Sequence, residues 1–466
     1  MKTVKIRVKD ANFLSYAKEK LYATKHFENI LLILLHQDFK QHDKKMFKNL
    51  TNPEAMRAVI AGNEGGKAKE QANIIRKEFQ NNQLMNDLIK VGQTLKVHNL
   101  VQTIKEAKKN YKSFFTKLNQ GDTKAKPPKP KKLSKTNHFT LHTDSYKSFT
   151  VKKKNKIGIN LANKMRYTRV NHSALEKIVG DLSNINNIAV HLSNRYVYLL
   201  IAYENVLPKI NEKLAYKAAS IDLGVNILAT LYTEDEESPS LLIDGTPYKT
   251  YNANFNRHMA KINEEISTLK DEKRKMYLSR YRSFLYEKRN NYFFSEFHKL
   301  SKRILENCQK QGVTHLIVSS NLSELKNNGK TKLRKQAKQN FIQIPFIELL
   351  KNIQDKAAKY GIVVTDVNEA YTSKTSSISA DIKQIQSLAQ VKQKLTTNEY
   401  KGTRVERGLF KDTVQNIAIH ADINGSRNTC YVGIWSPRLF TIPLAKLCNP
   451  IKLKSDHEFT NYLVNS

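Results

Sequence analysis

The stretch Ala219-Ser-Ile-Asp-Leu-Gly-Val-Asn-Ile-Leu-Ala229 sets a single carboxylate, Asp222, inside an apolar run, and this constrains the fold more than any other feature of the chain. Ala218 to Leu223 reads as a strand, Gly224 as a tight turn and Ile227 to Tyr232 as a second strand. A carboxylate at a strand centre is costly unless it meets a proton, a cation or a hydrogen-bond donor. Alone, Asp222 also reads as an edge-strand aspartate facing water. Two further acids change the balance. Glu369, in Asp366-Val-Asn-Glu-Ala-Tyr-Thr-Ser-Lys374, follows the strand Gly361 to Val367, and Asp422, in Ile417-Ala-Ile-His-Ala-Asp-Ile-Asn-Gly-Ser-Arg-Asn428, closes a short apolar run just before a helix start. Three carboxylates at the ends of three strands of one sheet can converge on a pair of hard divalent ions, which take oxygen ligands and keep waters for a nucleophile. Two such ions about 4 Å apart serve phosphodiester hydrolysis.

That sheet belongs to a block running from about residue 217, where strands alternate with long helices and Phe293, Phe297, Leu300 and Ile304 mark one buried helix face. The alternation predicts an α/β domain with a mixed sheet. Upstream, Val4, Ile6 and Val8 alternate with Lys5, Arg7 and Lys9, the pattern of a half-buried strand with a cationic outer face. Residues 12 to 118 turn helical, with Phe27, Ile30, Leu31 and Leu34 on one stripe and Leu100, Ile104 and Tyr111 on another. The run Lys124-Ala-Lys-Pro-Pro-Lys-Pro-Lys-Lys132 is then extended and solvated. Short strands such as Tyr146 to Val151 and Tyr196 to Tyr203 follow. The whole predicts a multidomain chain: a small β-barrel completed by the N-terminal strand, a helical block inserted in it, and the α/β domain. The boundaries expected are 1–10 and 121–216 for the barrel and its basic linker, 11–120 for the helical insert, 217–430 for the α/β domain and 431–466 for a C-terminal tail.

Across 466 residues, 79 Lys and Arg stand against 42 Asp and Glu, a net charge of +37. A field of that size recruits polyanions, so nucleic acid is the expected partner, with passive electrostatic coating as the competing explanation. The candidate contact runs contain Lys126, Lys129 and Lys131, then Lys152, Lys153 and Lys154, then Arg334 and Lys335, with Lys374, Arg404 and Arg407 in the last third. Tyr111, Phe114 and Phe115 serve either as base-stacking rings or as packing beside a core stripe. Three widely separated cysteines, Cys308, Cys430 and Cys448, argue against a disulfide framework and against a Cys-x-x-Cys zinc site. The N-terminal residues lack a signal-peptide pattern, and the longest apolar run, Ile30 to Leu35, is too short to span a bilayer. No membrane partner and a cytoplasmic, nucleoid-associated location are expected.

With those segments in view, the chain resembles TnpB, the RNA-guided nucleases of small bacterial insertion sequences and relatives of the type V CRISPR effectors. The resemblance is carried by Ser220 to Ala229, by Asn340-Phe-Ile-Gln-Ile-Pro-Phe346 through Lys356-Ala-Ala, by Gly361-Ile-Val-Val, Glu369-Ala-Tyr-Thr-Ser-Lys374, Arg407-Gly-Leu-Phe410 and Ala421-Asp-Ile-Asn-Gly-Ser426, and upstream by Ser113-Phe-Phe and the lysine-proline run. It implies an RNase H-like RuvC nuclease domain with a mixed sheet, beside a wedge barrel carrying a helical recognition domain. It implies Mg²⁺ or Mn²⁺ as cofactor and a guide RNA and a double-stranded DNA target as partners; a monomer is expected over a dimer. Asp222 and Asp422 take the places of the first and last metal-binding acids. The chain departs from the family at the middle acid, whose place falls at Ser320. Glu369 and Glu324 are the substitutes, and the resemblance favours Glu369, because a branch of the family carries its glutamate just before Tyr-Thr-Ser-Lys. No cysteine lies between 371 and 421, so the family's zinc knuckle is expected to be absent. Lys374-Thr-Ser-Ser and Gly402 to Gly408 then read either as phosphate-binding or as an ordinary insert. A nuclease-inactive guided repressor, a DNA transposase and a non-enzymatic RNA-binding protein are the alternatives.

Overall fold

A strand whose partner lies at the far end of a long insertion organises the first part of the chain. The computed structural model describes residues 2–40, 44–63, 68–132, 137–141, 146–147, 156–162, 164–193, 196–204, 216–319, 343–391, 393–406, 408–433 and 444–465. Two compact units divide at residues 206 and 207. In the first, the strands are β1 (Lys2–Arg7), β2 (Asn137–Thr140), β3 (Tyr146–Lys147), β4 (Lys156–Ile159), β5 (Arg166–Arg169), β6 (Ile185–Leu192) and β7 (Val197–Tyr203). β1 pairs antiparallel with β7 in a four-stranded sheet of order β1-β7-β6-β2, and β3-β4-β5 form a second sheet. Ile157 and Ile159 of the second sheet share one core with Ile188, Val190 and Ile201 of the first. The expected barrel is, among the described residues, two antiparallel sheets on a common core. Val4 and Ile6 are half-buried while Lys5 and Arg7 lie over the rings of Tyr198 and Tyr196 at 4.0 and 3.6 Å. The cations thus cover aromatic surface as well as charging the outer face.

Between β1 and β2 the helices from Ala11 to Asn119 pack around Phe27, Leu31, Met56, Ile75, Leu88 and Ile104. One of them, Pro53–Ala61, shows why the boundaries fall where they do. Asn52 accepts from the amides of Glu54 and Ala55, Pro53 begins the helix without an amide to satisfy, and Gly62 closes it at φ 71°. Tyr111 and Phe114 are buried, and Tyr111 meets Phe47 edge-on with ring centres 5.3 Å apart. These rings pack; they do not face bases. The lysine-proline run is held by Asn29, which donates to the Lys131 carbonyl at 2.8 Å and accepts from the Lys131 amide at 2.9 Å. Lys126, Lys129 and Lys131 remain exposed. Lys152, Lys153, Lys154, Ser320, Glu324, Arg334, Lys335 and Arg407 lie outside the described residues.

The second unit adds β8 (Ala218–Leu223), β9 (Ile227–Thr233), β10 (Leu241–Asp244), β11 (His315–Ser319), β12 (Val363–Val367), β13 (Gly402–Glu406), β14 (Leu409–Asp412), β15 (Ala418–His420) and β16 (Ile451–Leu453). Six of them form a mixed sheet of order β12-β11-β8-β9-β10-β16, with β8 parallel to β11 and antiparallel to β9. Alternation along β8 decides what each face carries. Ala219, Ile221 and Leu223 join Phe293, Phe297, Leu349 and Ile353 of the helices Glu272–Lys310 and Phe346–Ala357. Ala218, Ser220 and Asp222 therefore face the other way, toward the helix Ala421–Gly433, where Ala218 shares a cluster with Ile317, Ile423 and Cys430.

The stretch 431–466, expected as a tail, is corrected here. β16 pairs parallel with β10 as the sheet's last strand, and the helix Asp456–Asn465 contributes Phe459 and Leu463 to the core around Phe297. A three-residue strand is too short to show a period in sequence. Because Phe297 is fully buried in this core, Phe297→Ala is expected to lower the unfolding free energy by about 3–5 kcal/mol, read from the shift of the urea midpoint. A loss under about 1 kcal/mol would mean that the long helix does not anchor the sheet.

Candidate active site

Asp222 is half-buried next to the end of β8, and the geometry around it is set by Gly425. A Cβ built on Gly425 would stand 2.9 Å from Asp222 Oδ2. The Asp222 carboxylate can take this place against the helix Ala421–Gly433 because residue 425 has no side chain. The next residue locks the register: Ser220 Oγ donates to the Ser426 carbonyl at 2.6 Å, and Ser426 Oγ donates toward the Thr230 carbonyl of β9 at 3.1 Å. Asp422 sits three residues before Gly425 on the same helix face, in the first turn, where the helix dipole favours a negative side chain.

Asparagines on the same helix hold the third acid's segment. Asn424 donates to the Thr375 carbonyl at 2.8 Å and accepts from the Ser377 amide at 2.8 Å. Asn428, one turn on, donates to the carbonyls of Thr372 and Thr375, each at 2.8 Å. The chain after β12 is thereby stapled to the Asp422 helix, with Tyr371 forced to φ 69° in the turn. The hydroxyls of Thr372, Thr375 and Ser376 donate to the Glu369 carbonyl, the Tyr371 carbonyl and the Asp412 carboxylate. They are spent inside the protein, so of Lys374-Thr-Ser-Ser it is Lys374, exposed, that is presented to solvent.

Electrostatics tie the three acids together. Burial pushes the Asp222 carboxyl well above the usual carboxylate range, Glu369 and then Asp422 push it further by repulsion, and Arg404 pulls it back. Burial also raises Glu369, with Ser319 at the end of β11 acting against it. Arg404, on β13, reaches Asp422 Oδ1 at 3.2 Å. The Asp422 amide donates to His420 Nδ1 at 3.3 Å, and burial lowers the His420 pKa. A cleft of about 800 Å³ opens beside these groups, lined by Asp222, Asp422, Arg404, His420, Lys249 and Lys452 among others.

The donor chemistry fits a hard divalent cation: oxygen ligands alone, mutually repelling and partly desolvated. The ligand set is not preformed, however. Among the described residues no group of three or more His, Cys, Asp or Glu stands close enough to hold a metal ion. Glu369 and Asp422 both act on Asp222, and the Arg404 guanidinium engages Asp422.

Of the sequence candidates, Asp222, Glu369, Asp422 and Arg404 interact, while Lys126, Lys129 and Lys131 belong to the other unit. Sequence reading missed Asn424, Gly425, Ser426, Asn428 and His420. The available signal was a helix with polar residues at 424 and 428, one turn apart, where a core-facing helix should be apolar.

Residues 200–324 match the family described as "Probable transposase", and residues 346–429 match the family described as "Cas12f1-like, TNB domain". The first match contains Asp222 and the second contains Glu369, Arg404 and Asp422. The chain is thus similar to these two families over residues 200–324 and 346–429, a TnpB-like pattern. It is similar to the protein of a Cas12f1–sgRNA–target DNA complex solved by cryo-electron microscopy, at 15% identity over 92% of this chain and 98% of that chain, TM-score 0.31. It is also similar to that of a CRISPR-Cas12f ternary complex, at 12% identity over 89% of this chain and 81% of that one, TM-score 0.35. No curated protein matches it.

In this TnpB-like chain the raised Asp222 pKa has a consequence for stability. A carboxyl whose folded pKa is raised contributes stability that is complete below the unfolded pKa and is lost as pH rises through the folded one. Asp222→Asn is therefore expected to raise the thermal midpoint in metal-free buffer at neutral pH and to give no gain below the ordinary carboxylate range. No gain at neutral pH would contradict the proximity of the three acids.

Proposed function

We propose that the protein is an RNA-guided DNA endonuclease whose RuvC-type centre is Asp222, Glu369 and Asp422. The observation that carries this reading is the helix Ala421–Gly433, which carries one acid, presses its glycine against the second and staples the segment of the third. Asp222, Glu369 and Asp422 would hold Mg²⁺ or Mn²⁺. Such ions, when bound, neutralise developing charge and supply a nucleophilic water for phosphodiester hydrolysis. Lys249, Lys452 and Arg404 give the cleft wall positive charge for a phosphate. His420, with its pKa lowered by burial, stays neutral there and holds the Asp422 amide.

In this reading a guide RNA supplies sequence specificity by base pairing, and the protein grips the heteroduplex by its backbone and reads a short flanking DNA motif. The net charge of +37 suits that division. Residues 1–10 and 121–216 would form the wedge, 11–120 the recognition helices, and 217–430 with the C-terminal strand the nuclease domain, in a monomeric, nucleoid-associated protein of the cytoplasm. A second reading, a guided DNA-binding repressor without cutting activity, is favoured by one observation: the Arg404 guanidinium pairs with Asp422.

The test is cleavage. Protein purified with co-expressed transposon-end RNA is given Mg²⁺ and a matching duplex beside a randomised flank. Cuts that require the RNA and vanish in Asp222→Asn, Asp422→Asn and Glu369→Gln, but persist in Glu324→Gln, are expected. Loss with Glu324→Gln and retention with Glu369→Gln would move the middle acid to Glu324. RNA-dependent binding with no cut in Mg²⁺ or Mn²⁺ would assign the repressor, and strand joining without RNA would overturn both readings.

A further inference from the structure

The helices Thr246–Thr268 and Glu272–Lys310 form a hairpin rooted at the cleft. Thr246 and Lys249 line the cleft, and Tyr248 meets Phe293 and Phe297 at 6.1 and 5.7 Å between ring centres. From Phe293 back to Tyr277 the second helix runs sixteen residues, roughly 24 Å, away from that root. Its inner side holds the hairpin together: Leu278, Met259 and Ile262 are buried, Arg274 pairs with Glu265 at 3.0 Å, and Arg282 donates to Asn263 at 3.0 Å.

The outer side differs from an ordinary solvated face. Lys273, Tyr277, Tyr281, Phe284 and Lys288 recur at spacings of four and three residues and so form one stripe. Tyr277 is 58% exposed and Tyr281 42% exposed, and Tyr281 stacks on Phe284 with planes 28° apart. From Lys273 to Lys288 there are six lysines and arginines and a single acid, Glu287, so the rings stand in a cationic setting. An apolar protein partner would be met by charges that interface cores avoid. A duplex would need the charges but not the rings. Unpaired bases on a phosphodiester chain use both, the rings for stacking and the cations for the backbone.

We propose that this stripe is a stacking platform for single-stranded DNA, carrying an unpaired strand along the hairpin to or from the Asp222 cleft. The choice of DNA rests on the proposed nuclease reading; the choice of a single strand rests on the rings. The test is fluorescence anisotropy of labelled oligo(dT) and of a blunt duplex with the full-length chain, in EDTA, without guide RNA, at salt high enough to screen backbone contacts. The double variant Tyr277→Ala/Tyr281→Ala is expected to bind oligo(dT) about tenfold or more weakly, with duplex binding and thermal midpoint unchanged, and Tyr277→Phe/Tyr281→Phe to bind as the parent does. Unchanged oligo(dT) affinity in the alanine variant would overturn the proposal, as would an equal loss on the duplex. Loss of a parent dimer by light scattering with oligo(dT) binding intact would assign the stripe to a second copy and also overturn it. A matched oligo(rU) that binds tighter and shows the larger loss would reassign the platform to RNA. Since no cleavage enters the assay, a protein that stacks DNA but never cuts would refute the nuclease reading alone.

Discussion

Everything at the candidate site depends on one close approach, that of the Gly425 backbone to the carboxylate of Asp222. It fixes where the Asp222 carboxylate can lie against the helix Ala421–Gly433, and the Ser220–Ser426 hydrogen bond fixes that helix's register along the strand. Once place and register are set, Asp422 has no freedom to choose another neighbour, and Asn424 and Asn428 hold the segment following Glu369 against the same helix. Five polar or small residues in one short helix thus do what three separate loops would do poorly.

That arrangement is bought with stability. β8 gives one face to a fully apolar core and the other to Ser220 and Asp222. Burial raises the Asp222 carboxyl, and repulsion from Glu369 and Asp422 adds to the penalty. Repulsion and burial of this kind concentrate at functional sites, where perturbed carboxyls cluster. Arg404 offsets part of the repulsion by pairing with Asp422. The cleft is thereby left mixed in sign, with carboxylates at its base and Lys249, Lys452 and Arg404 along its wall.

The strand around Asp222 was legible because its apolar run is bounded by a glycine turn, and the helical block because its stripes are long and periodic. That the N-terminal segment is a strand was legible from its short alternating pattern; that its partner is β7 was not. The C-terminal strand was not legible: three residues carry no period, and its place is decided by the exposed edge of β10. Nor was the role of Ala421-Asp-Ile-Asn-Gly-Ser426 beyond its aspartate. Asn424 and Gly425 matter through what lies across from them, and a single sequence does not show what a side chain faces. Tyr111 and Phe114 show the reverse case, in which helical spacing beside a core stripe favoured packing over stacking and burial agrees.

The central claim is that the glycine holds Asp222 in a productive place, and Gly425→Ala tests it most directly. The added methyl meets the tip of a side chain, not backbone, so the fold can absorb it by moving the Asp222 carboxylate, and alanine suits a helix interior better than glycine by about 1 kcal/mol. The account predicts an unfolding midpoint equal to or above the parent's together with a loss of RNA-guided, Mg²⁺-dependent cleavage of about a hundredfold, as expected for an ångström-scale misplacement of a reacting group. Parent-level cleavage by Gly425→Ala would contradict it.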